Sequence, residues 1–166
     1  MSILTISGSV RKDSTTQAFL DKLESTFVDF DFENFGIDDI PLFHPDAYDS
    51  AIPSSVQHLK AKIKNSEAVI IATPEYIHNI PAVLKNALEW TTQTGELEKK
   101  KTLAITFTPH EPRGKKAMES LLNSLLALNA DVVGSMAIYH TDLDHKKKLV
   151  DNVYEILKEG LELLTP

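Results

Sequence analysis

The stretch Gly8-Ser9-Val10-Arg11-Lys12-Asp13-Ser14-Thr15-Thr16-Gln17 places four hydroxyls and one guanidinium directly after a glycine. If a helix begins inside it, these groups form a phosphate cradle. Helix N-terminal N–H groups carry partial positive charge, Ser and Thr hydroxyls donate, and Arg11 can grip two oxygens at once. The stretch lacks the Gly-Lys-Ser/Thr ending of a triphosphate loop and the G-x-G-x-x-G of a dinucleotide turn. The stretch reads as a phosphate cradle for which a nucleoside triphosphate or a dinucleotide bound in the Rossmann manner is not expected. A plainer reading stands beside this one, in which Ser14 or Thr15 caps the helix and Arg11 and Lys12 are solvated.

A second stretch with chemical content is Thr73-Pro74-Glu75-Tyr76-Ile77-His78-Asn79-Ile80-Pro81. Pro74 stiffens its start, and Pro81 pre-sets the first turn of a following helix. An aromatic ring and backbone polar groups fixed between two prolines can line a flat heterocycle whose edge needs hydrogen bonds. The alternative is a rigid turn with Tyr76 simply packed.

The elements that position these stretches follow from periodicity. Ile3-Leu4-Thr5-Ile6 reads as a buried strand, and Phe19, Leu20, Leu23 and Phe27 give one apolar face to a helix over 14–26. Residues 28–35 alternate, with Val28, Phe30 and Phe32 opposite Asp29, Asp31 and Glu33, which suits an edge strand. Pro53 opens a helix through Val56, Leu59 and Ile63. Residues 67–73 form the most apolar strand, which should be central. A helix follows Pro81 through Leu84 and Leu88. A strand over 102–108, a helix over 115–128, a strand over 132–139 and a helix over 149–164 complete the chain. Strands alternating with helices require right-handed crossovers and a parallel sheet covered on both faces. The expected architecture is a flavodoxin-like three-layer α/β sandwich, a five-stranded parallel sheet of order 2-1-3-4-5. Ligands then bind beyond the carboxyl ends of the first and third strands, where the winding reverses.

The chain has 166 residues, which at roughly 150 residues per domain predicts one domain over 1–166. Seventeen Lys and Arg against 24 Asp and Glu give a net charge of −7, which argues against a nucleic-acid partner. With no cysteine, thiolate catalysis and Cys-based metal sites are excluded, so redox chemistry must come from a bound cofactor. His44, His58, His78, His110, His140 and His145 contain no pair at metal-ligand helical spacing, so no metal site is expected. No apolar run approaches the roughly 18 residues that span a bilayer. The N-terminus lacks a basic leader, so a cytoplasmic protein with no membrane partner is expected. The runs Lys99-Lys100-Lys101 and Lys146-Lys147-Lys148 read as solvated charge, and Trp90 as core or interface.

Three segments resemble the NAD(P)H-dependent FMN reductases of flavodoxin fold, a family that includes chromate, quinone and azo reductases. Residues 8–16 look like its Gly-Ser-x-Arg-x-x-Ser-x-Asn loop, with Thr16 in place of Asn, and Ile40-Pro41-Leu42-Phe43 is similar to its Leu-Pro-Leu-Tyr. Residues 74–90 are close to its Pro-Glu-Tyr-Asn-x-x-x-Pro-x-x-Leu-Lys-Asn-Ala-x-Asp-Trp, with Ile77 in place of Asn. The resemblance implies that Ser9, Arg11, Ser14, Thr15 and Thr16 hold the FMN phosphate. It also implies that Pro74, Glu75, Tyr76 and Ile77 edge the isoalloxazine through backbone contacts and packing, and that Thr108 borders the cofactor.

The implied activity passes hydride from NADPH or NADH to bound FMN, and on to a small-molecule acceptor such as a quinone, azo compound, metal ion or free flavin. No catalytic side chain is required, and Tyr76 and His78 are candidates for lining the acceptor site. The implied assembly is a homodimer or homotetramer. The segment Thr108-Pro109-His110-Glu111-Pro112-Arg113-Gly114 is bulkier than the Gly-rich loop of similar proteins. Arg113, Lys115 and Lys116 beyond it are candidates for the phosphates of NADPH, or else solvated charge. The alternatives are a non-enzymatic FMN electron carrier of flavodoxin type and a receiver-like domain. The receiver is disfavoured because no acidic pair ends the first strand.

Overall fold

Ser7 and Ala72 are register partners at the carboxyl ends of neighbouring strands, so the two chemically promising stretches leave the sheet side by side. This computed structural model describes residues 2–49, 51–144 and 148–165. The strands are β1 (Ser2–Ser7), β2 (Asp31–Phe35), β3 (Ala68–Thr73), β4 (Lys101–Thr108) and β5 (Asp131–Tyr139). All pair in parallel, in the order β2-β1-β3-β4-β5 that the alternation of elements predicted. The helices are α1 (Thr15–Thr26), α2 (Ser54–Asn65), α3 (Ala82–Glu89), α4 (Lys115–Ala127) and α5 (Asp151–Leu164).

The period of two sends successive strand residues to opposite faces. Leu4 and Ile6 of β1 and Val69 and Ile71 of β3 pack with α2, α3 and α4. Ile3, Ala68, Ile70 and Ala72 pack with Phe19, Leu20 and Leu23 of α1 and Leu157 and Leu161 of α5. Every residue of β3 is buried, as a central strand under two helical layers must be. Trp90 belongs to this core at 1% exposure. No described helix is long and apolar enough to cross a membrane.

Two expectations change. The second strand begins at Asp31 because Phe27 closes α1 and Phe30 N–H donates to Phe27 C=O, leaving Val28 exposed in a turn. The alternation across 28–30 is therefore not a strand. Lys100 and Lys101 are anchored rather than simply solvated. Lys100 Nζ donates to Ser66 O (2.5 Å) just past α2, and Lys101 Nζ donates to Leu163 O (3.2 Å) and Thr165 O (2.6 Å) at the end of α5. Cations suit the negative ends of helices, and burial pushes the Lys100 ammonium below its usual pKa. Short 3₁₀ turns at Pro45–Asp49 and His140–Asp142 carry no apolar period and had no sequence signal. His145, Lys146 and Lys147 lie outside the described residues.

Candidate functional site at the β1–β3 crevice

Gly8 brings the first loop against the third strand. Its N–H donates to Ala72 C=O at 2.7 Å, and a Cβ there would lie 2.8 Å from Thr73 Oγ1 and 2.9 Å from Leu84 Cδ2. Only glycine permits that approach without displacement. The next bend is tied by Ser7, whose Oγ accepts from Ser9 N–H (3.3 Å) and donates to Ser9 C=O (3.2 Å).

A cavity of about 550 Å³ opens at this loop, lined by Ser9, Arg11, Lys12, Ser14 and Thr15 and by Gly36 to Asp38 beyond β2. Ser14 is the N-cap of α1, its Oγ accepting from Gln17 N–H at 3.2 Å. Capping and anion binding coexist there, because a hydroxyl that accepts keeps its own proton to donate. The helix offers no acceptor to the amides of Thr15 and Thr16, its first two residues. Asp13, Asp21 and Asp38 also line the cavity. An anion must therefore be held by these amides together with Arg11 and Lys12. This donor set of hydroxyls, open amides and one guanidinium fits a phosphate monoester. Thr16 is 1% exposed and is not among the residues that line the cavity.

The loop after β3 is a tight reversal. Tyr76 N–H donates to Asn79 C=O (2.9 Å), and Asn79 N–H donates to Tyr76 C=O (3.0 Å). Between them Ile77 and His78 have φ of 45° and 61°, the signs of a primed two-residue turn. Tyr76 is 43% and Ile77 98% exposed. Pro74 is half-buried, and its C=O accepts from Thr73 Oγ1 at 2.9 Å. Asn79 Oδ1 accepts from Ile80 N–H (2.8 Å) and Ser120 Oγ (2.5 Å), linking the loop to α4.

The side chain of Glu75 does not edge the crevice. Its Oε2 accepts from the backbone N–H groups of Gly114 (3.1 Å), Lys116 (3.1 Å) and Ala117 (3.2 Å) at the start of α4. The amides that would have favoured a nicotinamide phosphate there are thus already bonded. Arg113, Lys115 and Lys116 are exposed, and Lys116 pairs with Glu119 at 2.7 Å. Thr108 is 2% exposed, and its hydroxyl donates to Arg113 C=O (3.0 Å), closing the loop after β4.

The Ile40 to Phe43 segment is clamped from α3. Asn86 Oδ1 accepts from Phe43 N–H (2.7 Å), while Asn86 Nδ2 and Trp90 Nε1 both donate to Pro41 C=O (2.9 and 2.8 Å). Just past the carboxyl end of β5, His140 packs its ring 4.7 Å from that of Phe107. Its Nε2 is buried with no hydrogen-bond partner among the described residues, and burial pulls the imidazole below its usual pKa. Among the described residues no cluster of three or more His, Asp or Glu can hold a metal.

Two features escaped the sequence reading. The cavity wall at Gly36 to Asp38 follows from sheet order, since the strand beside β1 must end beside its loop. The Glu75 contact had a fainter signal, because α4 starts after Gly114 with no Ser, Thr, Asp or Asn to cap it.

The NADH:(hydroxy)cinnamate reductase subunit CrdA of Vibrio ruber is 36% identical over 127 residues, covering 76% of this chain and 62% of that protein. The 2-hydroxy-1,4-benzoquinone reductase of a Burkholderia species is 37% identical over 91 residues, covering 54% and 49%. The chain thus spans less than two thirds of either relative. The solved structure of the flavoenzyme NAD(P)H:(acceptor) oxidoreductase FerB from Paracoccus denitrificans superposes with a TM-score of 0.78 at 24% identity, over 98% of this chain and 94% of its own, and shares the fold. Residues 1–143 match the family described as NADPH-dependent FMN reductase, and with the loop chemistry and sheet order above, the chain belongs to that family.

Proposed function

We propose that the chain is a single FMN-binding domain that acts as an NAD(P)H-dependent oxidoreductase, with a small uncharged quinone as electron acceptor. The observation that carries this reading is the donor set at the start of α1. Ser9, Arg11, Ser14 and Thr15 line a crevice beside the loop that Gly8 holds against β3. When bound, FMN supplies the hydride chemistry, taking two electrons from a nicotinamide and delivering them to the acceptor. The chain's own part is binding and alignment. Arg11 and the hydroxyls of Ser9, Ser14 and Thr15 hold the phosphate, the amide of Thr16 adds a donor, and the backbone from Pro74 to Ile77 flanks the ring. Tyr76 stands exposed beside that backbone, where it can pack against a planar acceptor. No acid or base is assigned, since hydride transfer between aligned rings requires orientation above all.

The quinone is supported by the name of the Burkholderia relative. The proposed assembly is a homodimer or homotetramer, which light scattering of the purified chain tests. The functional test is reconstitution. The chain is titrated with FMN by fluorescence quenching, then assayed for NADPH and NADH oxidation with 1,4-benzoquinone. Saturable FMN uptake followed by quinone-dependent oxidation is expected. A chain that ignores FMN refutes the reading. One that binds FMN but does not oxidise NADPH or NADH is an electron carrier instead.

A further inference from the structure

We infer that Glu75 is a positioning residue, holding the loop after β3 in register with the loop after β4 by seating its carboxylate on the N-terminus of α4. This inference rests on the proposed FMN site and gives one of its residues a task that neither backbone contact nor packing describes.

The need for such a group is visible in α4 itself. Gly114 precedes the helix with φ of 95° and has no side chain to cap it. A Cβ at Gly114 would lie 2.9 Å from Thr106 Oγ1, so the glycine cannot be exchanged for a capping residue without displacement. The first turn carries Lys115 and Lys116, the wrong sign for the positive end of a helix. Glu75 supplies both missing elements, a negative charge and an acceptor for three N–H groups.

Glu75 reaches across the chain to do so, from 39 to 42 residues away. Its side chain is only 12% exposed, so solvent screens the contact weakly, and its other oxygen lies 3.5 Å from His78 Nδ1. A second tether, Ser120 Oγ to Asn79 Oδ1 at 2.5 Å, ties the far end of the same loop to the same helix. The loop proposed to flank the flavin is thus pinned at both ends to α4. With the N-terminus of α4 filled from within, an incoming phosphate is directed to α1, whose first amides remain open.

The test uses the full chain, with and without FMN, as the parent, Glu75→Ala and Glu75→Gln. Amide hydrogen exchange at Gly114, Lys116 and Ala117 is read without flavin, and the FMN dissociation constant is read separately. Glu75→Ala should speed exchange at the three amides by about tenfold or more and weaken FMN by about tenfold, as for a lost charged cap. Glu75→Gln, which keeps one carbonyl acceptor, should show a smaller loss of both. Formate at about 0.1 M should recover most of both in Glu75→Ala, while chloride at equal ionic strength should not.

Unchanged exchange in Glu75→Ala overturns the inference, as does faster exchange with an unaltered FMN constant, or the absence of rescue by formate. If Glu75→Ala does not fold, Glu75→Gln decides by the same two readings. A parent chain that takes up no FMN refutes the proposed function and with it the flavin half of this inference. The flavin-free exchange data still decide whether Glu75 bolts the two loops together.

Discussion

Replacing Ile77 by Asn should stabilise the protein by about 1 kcal/mol. A left-handed backbone costs a residue with a Cβ about 1–2 kcal/mol, and a β-branched residue there is a true outlier. Ile77 sits at φ 45°. Nothing in its side chain offsets that cost, because it is 98% exposed and the hydrogen bonds that close the turn are all backbone. Asn tolerates this region through local side-chain hydrogen bonds, so most of the strain should disappear on substitution.

For a chain of this size a gain of about 1 kcal/mol raises Tm by roughly 2–4 °C. Urea unfolding should show a higher midpoint with an unchanged slope, since neither end state changes its exposed area much. Ile77→Gly should gain less, because glycine relieves the strain but adds freedom to the unfolded chain. The order of stability is therefore Asn, then Gly, then Ile. An Asn variant no more stable than the parent, or a Gly variant above the Asn one, refutes the assignment of strain to this residue.

Arg11→Ala should raise the FMN dissociation constant about 10–100-fold, the loss of a charged hydrogen-bond donor worth about 1.5–3 kcal/mol, with no change in Tm because Arg11 is exposed. Fluorescence titration checks it, and an unchanged constant would remove Arg11 from the phosphate site. Gly8→Ala forces a Cβ to within 2.8 Å of Thr73 Oγ1 and should destabilise by about 1–3 kcal/mol, read as a lower urea midpoint. Burial lowers the folded pKa of His140, so the native state stays neutral while the unfolded chain takes up a proton below the usual value of about 6.5. Stability should fall as pH drops through and below about 6.5, and His140→Phe should flatten that part of the curve. Parent and variant curves of equal slope between about pH 7 and 5 would contradict this account.

The sheet order was legible because two strands carried opposite signals. Asp31 and Glu33 on β2 mark an edge, and the unbroken Ala68 to Ala72 run of β3 marks the centre. Once the order is set, the reversal point and its two loops follow from connectivity alone. Side-chain direction inside those loops was not legible. Thr16 is one residue past Thr15, yet it is buried and does not share the cavity that Thr15 lines. Glu75 and Thr108 have the polarity of ligand contacts, but their partners lie at Gly114 to Ala117 and at Arg113, which only tertiary packing brings near. Lys100 and Lys101 show the same limit. A lysine run looks solvated until two helix ends arrive beside it.

Why a strained turn persists at Ile77 follows from the tethers on either side of it. Glu75 is fixed to α4 by three hydrogen bonds to one carboxylate oxygen, and Asn79 is fixed to Ser120 on the same helix. The chain must then reverse between Tyr76 and Asn79, and both primed two-residue turns that suit right-handed strand twist put the first central position, Ile77, at positive φ. Charge-assisted hydrogen bonds of this burial outweigh a strain of about 1–2 kcal/mol, so the tethers dictate the turn and Ile77 follows. The two effects must therefore be coupled. With Glu75→Ala in the background the first tether is gone and Ile77 is free to return to negative φ, so Ile77→Asn should lose most of its stabilising effect. A double-mutant cycle by urea unfolding should give a coupling of about 0.5–1 kcal/mol. Additivity within about 0.3 kcal/mol would mean that the turn is set by its own four residues and that α4 does not impose it.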